Sequence, residues 1–178
     1  LEKYRDDYFS NAVTSRYTAI GKDAFRAVEG PDNAPIEIQA FLSYRSSYAK
    51  DLQRSIDEIL AKHPGQVRVV YRHYPATRSA NDKILAEIDD GEITYTMSKA
   101  VEAVGQLKGA DACVAMSRWT IDNQDAWSLD KFVAEAQKLG IDPTELRGKV
   151  ESPLVEQAIQ ADVEWLTRNR LGAKAAIF

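Results

Sequence analysis

Ile36-Glu37-Ile38-Gln39-Ala40-Phe41-Leu42 alternates with a period of two, setting Ile36, Ile38, Ala40 and Leu42 on one face and Phe41 on the other, which predicts a strand. Leu52, Ile56, Ile59 and Leu60 then recur at i, i+4, i+7 and i+8. This apolar stripe follows Ser46 and Ser47, both suited to cap a helix, and is ended by His63-Pro64-Gly65. The β-branched run Val67-Arg68-Val69-Val70-Tyr71-Arg72, stopped by Pro75, returns to strand. Strand, helix and strand within about 35 residues predict a right-handed βαβ unit whose two strands are parallel.

Elsewhere the pattern changes. Residues 1–30 are polar and aromatic (Tyr4, Tyr8, Phe9, Tyr17, Phe25) and close on the turn signal Gly30-Pro31-Asp32-Asn33, so they read as an N-terminal arm. Residues 76–96 lack periodicity and hold Asn81-Asp82 and Asp89-Asp90-Gly91, which predicts an irregular excursion. Met97–Leu107 and Asp111–Ile121 carry apolar positions at helical spacing. Ser128 caps a further helix that Gly140 stops, and Asp142-Pro143-Thr144-Glu145 opens another with a cap, a first-turn proline and a capping-box Glu. Ser152-Pro153 starts a last helix running to about residue 172.

The expected organisation is thus an arm (1–30), a βαβ half (31–75), a helical insertion (76–150) and a closing helix with the start of a second sheet half (151–178). Ala173–Phe178 reads as the beginning of a strand.

Composition narrows the chemistry. At 178 residues, with 44% apolar and 28% charged residues, the chain suits one globular domain. Lys plus Arg number 23 against 27 Asp plus Glu, a net charge of -4, so no basic field exists to gather nucleic acid. No apolar run has the length of a membrane span, and a signal peptide or anchor, if one existed, has been removed or left out. Cys113 is the single cysteine, which excludes an internal disulfide and a Cys-x-x-Cys pair. With two histidines beside it there is no ligand spacing for a metal, and neither metal nor cofactor is expected.

Particular words carry a resemblance. Gly30-Pro31-Asp32-Asn33-Ala34-Pro35-Ile36-Glu37-Ile38 followed by Phe41-Leu42-Ser43-Tyr44, then Val67–Pro75, then Gln124 with Leu129–Asp142, in that order, resemble the DsbA-like thiol-disulfide oxidoreductases of the thioredoxin superfamily. The resemblance covers about 30–178 and implies an α/β, thioredoxin-like fold with an inserted all-helical subdomain, cut short after the last helix. It also implies a periplasmic or otherwise extracytoplasmic, even membrane-tethered, location in a bacterium. Such proteins carry a Cys-x-x-Cys pair at the first helix N-terminus, where backbone amides stabilise a thiolate. Here that slot reads Ser46-Ser47-Tyr48-Ala49, so thiol-disulfide exchange is chemically impossible at it. Their cis-proline position falls on Ile177, after Ala175 and Ala176, and a cis bond before a non-proline costs about 2.5 to 4 kcal/mol.

The leading expectation is therefore a redox-inactive domain, not an enzyme. It would act as a protein-interaction or assembly module for a protein or peptide partner, such as a membrane-associated complex. The alternatives are an oxidoreductase with its cysteines replaced and a serine-based relative of the kappa-class glutathione transferases and isomerases, whose Ser-Pro-Tyr word Ser46-Ser47-Tyr48 resembles. Tyr44, Tyr48, His73 and Tyr74 are the candidate binding residues, with Trp119 beside them. The resemblance would gather these aromatics on the old active-site face, whereas core packing accounts for them equally well. Ser46 reads as a helix cap before it reads as a ligand. His73 reads as structural before catalytic, since no orienting acid can be placed beside it from sequence. Cys113 reads as a small buried hydrophobe, His63 as solvent-facing, and Arg45, Lys50, Arg72 and Arg78 as ordinary surface charge or a positive rim to the site.

Overall fold

The structure, a computed structural model, describes residues 25–75 and 90–168. Within these lie strands β1 (Ala27–Glu29), β2 (Ile36–Leu42) and β3 (Val67–His73), and helices α1 (Ala49–Lys62), α2 (Asp90–Lys108), α3 (Ala110–Asp122), α4 (Leu129–Gln137), α5 (Pro143–Val150) and α6 (Pro153–Arg168). The strand order is β1-β3-β2. β2 and β3 are parallel from Ile36 opposite Val67 to Leu42 opposite His73, and α1 makes the crossover between them. This is the βαβ unit that the alternating pattern predicts.

β1 is a correction to the sequence reading. The last residues of the expected arm are a strand, antiparallel to β3 with Ala27 opposite Tyr71 and Glu29 opposite Val69. Three residues are too few to show a period, so the pattern could not reveal it. Gly30 ends β1 with φ +105°, and a Cβ there would lie 2.6 Å from the Val67 carbonyl oxygen, so glycine alone fits the turn. A second correction concerns α2, which begins at Asp90, about two turns ahead of the expected Met97. Gly91, Thr94 and Thr96 are weak helix formers and hid this start. Burial overrides propensity here: Thr94 is 2% exposed, and the Thr96 hydroxyl bonds back to the Glu92 carbonyl. The strand expected at 173–178 lies outside the described residues.

One sheet face carries Ile38, Ala40 and Leu42 of β2 and Val67, Val69 and Tyr71 of β3, which join a core with Leu52 and Ile56 of α1. That core continues into the helical subdomain through Met97 and Val101 of α2, Met116 of α3, Phe132 of α4 and Leu146 of α5. Ser128 caps α4, its hydroxyl accepting from the Lys131 amide at 3.3 Å, and the Asp142 carboxylate caps α5 with two bonds of 2.9 Å from the Thr144 and Glu145 amides. Gly105 lets α2 approach its neighbours: a side chain there would strike the Phe25 ring and lie 3.1 Å from the Cys113 sulfur.

The other sheet face is covered by α6. Phe41 stacks on Trp165 with centroids 5.2 Å apart, and the Arg72 guanidinium lies over both rings at 5.0 and 5.2 Å. Arg72 donates from Nε at 2.9 Å and Nη2 at 2.6 Å to Asp162 Oδ1, and from Nη1 to Gln39 Oε1 at 3.1 Å. Asp162 Oδ2 accepts the His73 backbone amide at 2.8 Å, and Arg26 Nη2 lies 3.1 Å from Oδ1. Arg72 is 1% exposed, so it forms no part of a positive rim. The alternation of β3 points it beneath α6, where a carboxylate meets it.

Removing one partner of a buried ion pair leaves the other charge unpaired in low dielectric. Asp162→Ala is expected to lower unfolding free energy by about 3 to 5 kcal/mol, measured by urea denaturation, with Asp162→Asn losing less because the amide oxygen still accepts.

Candidate functional site

The segment between β2 and α1 holds the positions where catalytic sulfur would stand. It is a chain of turns: the Ser46 amide bonds the Ser43 carbonyl at 3.0 Å, and the Ala49 amide bonds the Ser46 carbonyl at 3.1 Å. The Ser46 hydroxyl accepts the Tyr48 amide at 3.2 Å, and the helical ladder then opens with the Leu52 amide on the Tyr48 carbonyl at 2.9 Å. Tyr48 therefore occupies the N-cap position, with φ -90° and ψ -6° and no side-chain cap. This corrects the expectation that Ser46 or Ser47 caps α1. Ser46 lies two residues before the N-cap, and its hydroxyl serves the turn there rather than the first helical amides.

The candidate residues separate by burial. Tyr48 stands 69% exposed at the mouth of α1, Ser47 is exposed and Ser46 half-buried. Ala49 is 1% exposed, its methyl enclosed. Tyr44 is also 1% exposed, its hydroxyl 3.3 Å from Ser117 Oγ on α3. Burial, and then the neighbouring Cys113, push the Tyr44 phenol well above its ordinary pKa. Tyr74 is half-buried and donates its amide to the Leu42 carbonyl at 2.8 Å, continuing the β2–β3 pairing. Trp119 packs edge-on against Phe132 at 6.0 Å, in the core of the helical subdomain.

These residues do not form one aromatic surface. Tyr44 is a core residue, Trp119 is half-buried and packs against the core beside Phe132, and Tyr48 alone of the four is exposed. Arg45 anchors the segment, donating from Nη1 to the Gln124 carbonyl at 2.8 Å. Lys50 and His63 are exposed. Arg78 and Ala175–Ile177 lie outside the described residues.

His73 has the acid that sequence could not place. Its Nε2 lies 3.2 Å from Glu102 Oε2, with the two side chains 7% and 3% exposed. Glu102 Oε1 accepts from Gln106 Nε2 at 2.8 Å, whereas His73 Nδ1 is buried with no hydrogen-bond partner among the described residues. Burial alone would raise the Glu102 carboxyl. The His73 hydrogen bond and charge, with Gln106 and Arg26, outweigh it and hold Glu102 below its ordinary value. The available signal was a lone Glu in a helix stretch, Met97 to Val104, whose other buried members are small or apolar.

His73 and Ser46 are not brought together: the Ser46 hydroxyl bonds within its own turn, and the imidazole engages Glu102. Ser46 and His73 therefore do not form a nucleophile–base pair. Cys113 is 3% exposed with its Sγ 3.5 Å from the Val101 carbonyl oxygen. Burial, reinforced by Glu102, pushes its thiol far up, so it is a poor source of thiolate. No group of His, Cys, Asp and Glu suited to a metal ion occurs among the described residues, and no described helix is long and apolar enough to cross a membrane.

The sequence matches no protein-family model and no curated protein. Solved structures match across most of its length. The thiol-disulfide exchange protein α-DsbA2 from Wolbachia pipientis is 16% identical with a TM-score of 0.67, the match covering 99% of this chain and 81% of that one. The catalytic domain of Proteus mirabilis ScsC is 18% identical with a TM-score of 0.68, covering 94% and 84%. Oxidised BdbD from Bacillus subtilis is 16% identical with a TM-score of 0.69, covering 86% and 80%. The fold is similar to the DsbA-like, thioredoxin-like fold of these structures, a small mixed sheet with a helical insertion.

Because Glu102 is held below its unfolded pKa, its contribution to stability is present above the ordinary carboxylate range and is lost as pH falls through the folded value. Glu102→Gln is expected to be less stable than the wild type by about 1 to 2 kcal/mol at neutral pH. The gap should narrow as urea unfolding is repeated toward about pH 4.

Proposed function

We propose that this chain is a redox-inactive domain of DsbA-like fold that serves as a protein-interaction or assembly module in an extracytoplasmic compartment. The observation that carries the reading is the start of α1, where Ser46-Ser47-Tyr48-Ala49 offers hydroxyls and a methyl in place of two sulfurs. A hydroxyl is too weak an acid to act as a thiolate, and Ala49 cannot resolve a mixed disulfide. Cys113 is no substitute, being enclosed between α2 and α3 with its thiol pushed up. The similar solved structures include a thiol-disulfide exchange protein, which supports an ancestry in that chemistry and, with it, a location outside the cytoplasm. Tyr48 is the exposed aromatic at the old reaction centre, and a large amphipathic ring there suits a peptide or protein partner.

Insulin reduction and glutathione conjugation, measured on this chain, are expected to stay at background, and turnover in either assay overturns the module reading. The double variant Ser46→Cys with Ala49→Cys separates its histories: restored oxidation of a reduced substrate marks replaced cysteines on an intact machine, and inactivity marks an older loss. Partner capture from native membranes is expected to fall about tenfold or more with Tyr48→Ala, the scale of an interface anchor. Capture unchanged by that variant removes Tyr48 from the interface.

A further inference from the structure

The hold on β1 comes mostly from outside the strand. Its pairing with β3 runs only from Ala27 opposite Tyr71 to Glu29 opposite Val69. Side chains that alternate between the two sheet faces supply the rest. On the core face the Phe25 ring sits where a side chain on Gly105 of α2 would strike it, and Ala27 is 3% exposed. On the same face Glu29 Oε2 accepts the Tyr71 hydroxyl at 2.7 Å and lies 2.9 Å from Arg118 Nη2 of α3. On the opposite face Arg26 Nη2 lies 3.1 Å from Asp162 Oδ1 of α6. The berth therefore selects an aromatic ring, a cation, a small residue and an acid at four fixed places. Gly105, Tyr71, Arg118 and Asp162, which do the selecting, all belong to β3 or to helices that follow it, so the fit is indifferent to which copy of the chain provides the strap.

The strap reaches this berth over a hinge, residues 30–35, that crosses the start of β3, since β1 runs antiparallel to β3 and β2 parallel to it. The hinge is kept folded by a bond of 3.1 Å from the Ala34 amide to the Pro31 carbonyl and one of 2.8 Å from Arg68 Nη1 to the Asp32 carbonyl. Its tightest point is Gly30, at φ +105°, where a Cβ would lie 2.6 Å from the Val67 carbonyl oxygen and 2.9 Å from the Arg68 Cα. Those are backbone atoms that cannot swing aside, so the folded hinge depends on glycine. Straightened, a hinge of this length spans about 20 Å, enough to carry β1 off its own sheet edge. We propose that the strap of residues 25–29 exchanges between two copies of this chain, each laying its β1 on the other copy's β3, with Gly30 as the latch that favours the closed form. The exchanged dimer keeps the contacts of the closed monomer, so the balance between them turns on the hinge. The inference stands apart from the redox-inactive reading and holds whatever chemistry the head of α1 supports.

The test is sedimentation velocity on the full chain over a range of concentrations. Gly30→Ala strains the closed hinge in both chains of a pair and leaves the open hinge free, so dimerisation is expected to strengthen about twentyfold or more over the wild type. A second arm separates strand exchange from any other self-association. Glu29→Lys and Arg118→Glu each set like charges against one another when a chain closes on itself. In a mixture of the two variants, exchange matches every charge: the new lysine meets the new acid in one berth, and Glu29 meets Arg118 in the other. The mixture is expected to hold about five times the dimer of either variant alone, and both changes in one chain should restore wild-type behaviour. Gly30→Ala that stays as monomeric as the wild type overturns the proposal, as does a mixture with no more dimer than its components. If Gly30→Ala does not fold, the mixture decides alone.

Discussion

The carboxylate of Asp162 sets the arrangement of the rest of the molecule. Its two oxygens gather a guanidinium from the central strand, a second one from the segment before β1, and the last backbone amide of β3. A buried charge of this kind is no source of net stability by itself, since its desolvation offsets much of its attraction. What it supplies is position. α6 can lie on the sheet in one register, with Trp165 over Phe41 and Arg72, because any slide would leave the carboxylate or the guanidinium without its partner. The apolar contacts on the opposite face tolerate small shifts far better.

The legible parts of the fold were those in which a local period meets a local stop. β2, α1 and β3 each span at least one full repeat of their pattern, and the Ser128 and Asp142 caps sit where short-range hydrogen bonding demands them. β1 was too short for any period, and the first turns of α2 were hidden by Gly91 and two threonines, of which Thr94 is held in helix by burial and Thr96 bonds back to the Glu92 carbonyl. The polar ties were illegible for another reason. Arg72 and Asp162 are 90 residues apart and His73 and Glu102 are 29 apart, and no pattern along the chain links such positions before the elements dock.

The same distinction runs through the candidate site. The absence of sulfur at the head of α1 is a matter of composition and could be read directly. The fate of the aromatic residues could not, since Tyr44 and Tyr48 differ by four positions yet one is enclosed and the other stands in solvent. That difference follows from the successive turns at Ser43 and Ser46, which carry the chain over the end of the sheet and aim Tyr44 at Ser117. His73 ties two helices to the sheet: its main chain meets α6 and its ring meets α2.

The enclosure of Cys113 has a consequence for how populations of this chain behave in an oxidising environment. A native molecule offers no accessible sulfhydryl, so two native molecules cannot become covalently joined. Only a copy that has lost its packing bares the thiol, and a neighbouring damaged copy can then trap it. Disulfide-linked dimers would accumulate as a chemical record of past unfolding, legible on a non-reducing gel long after the surviving molecules had regained their shape.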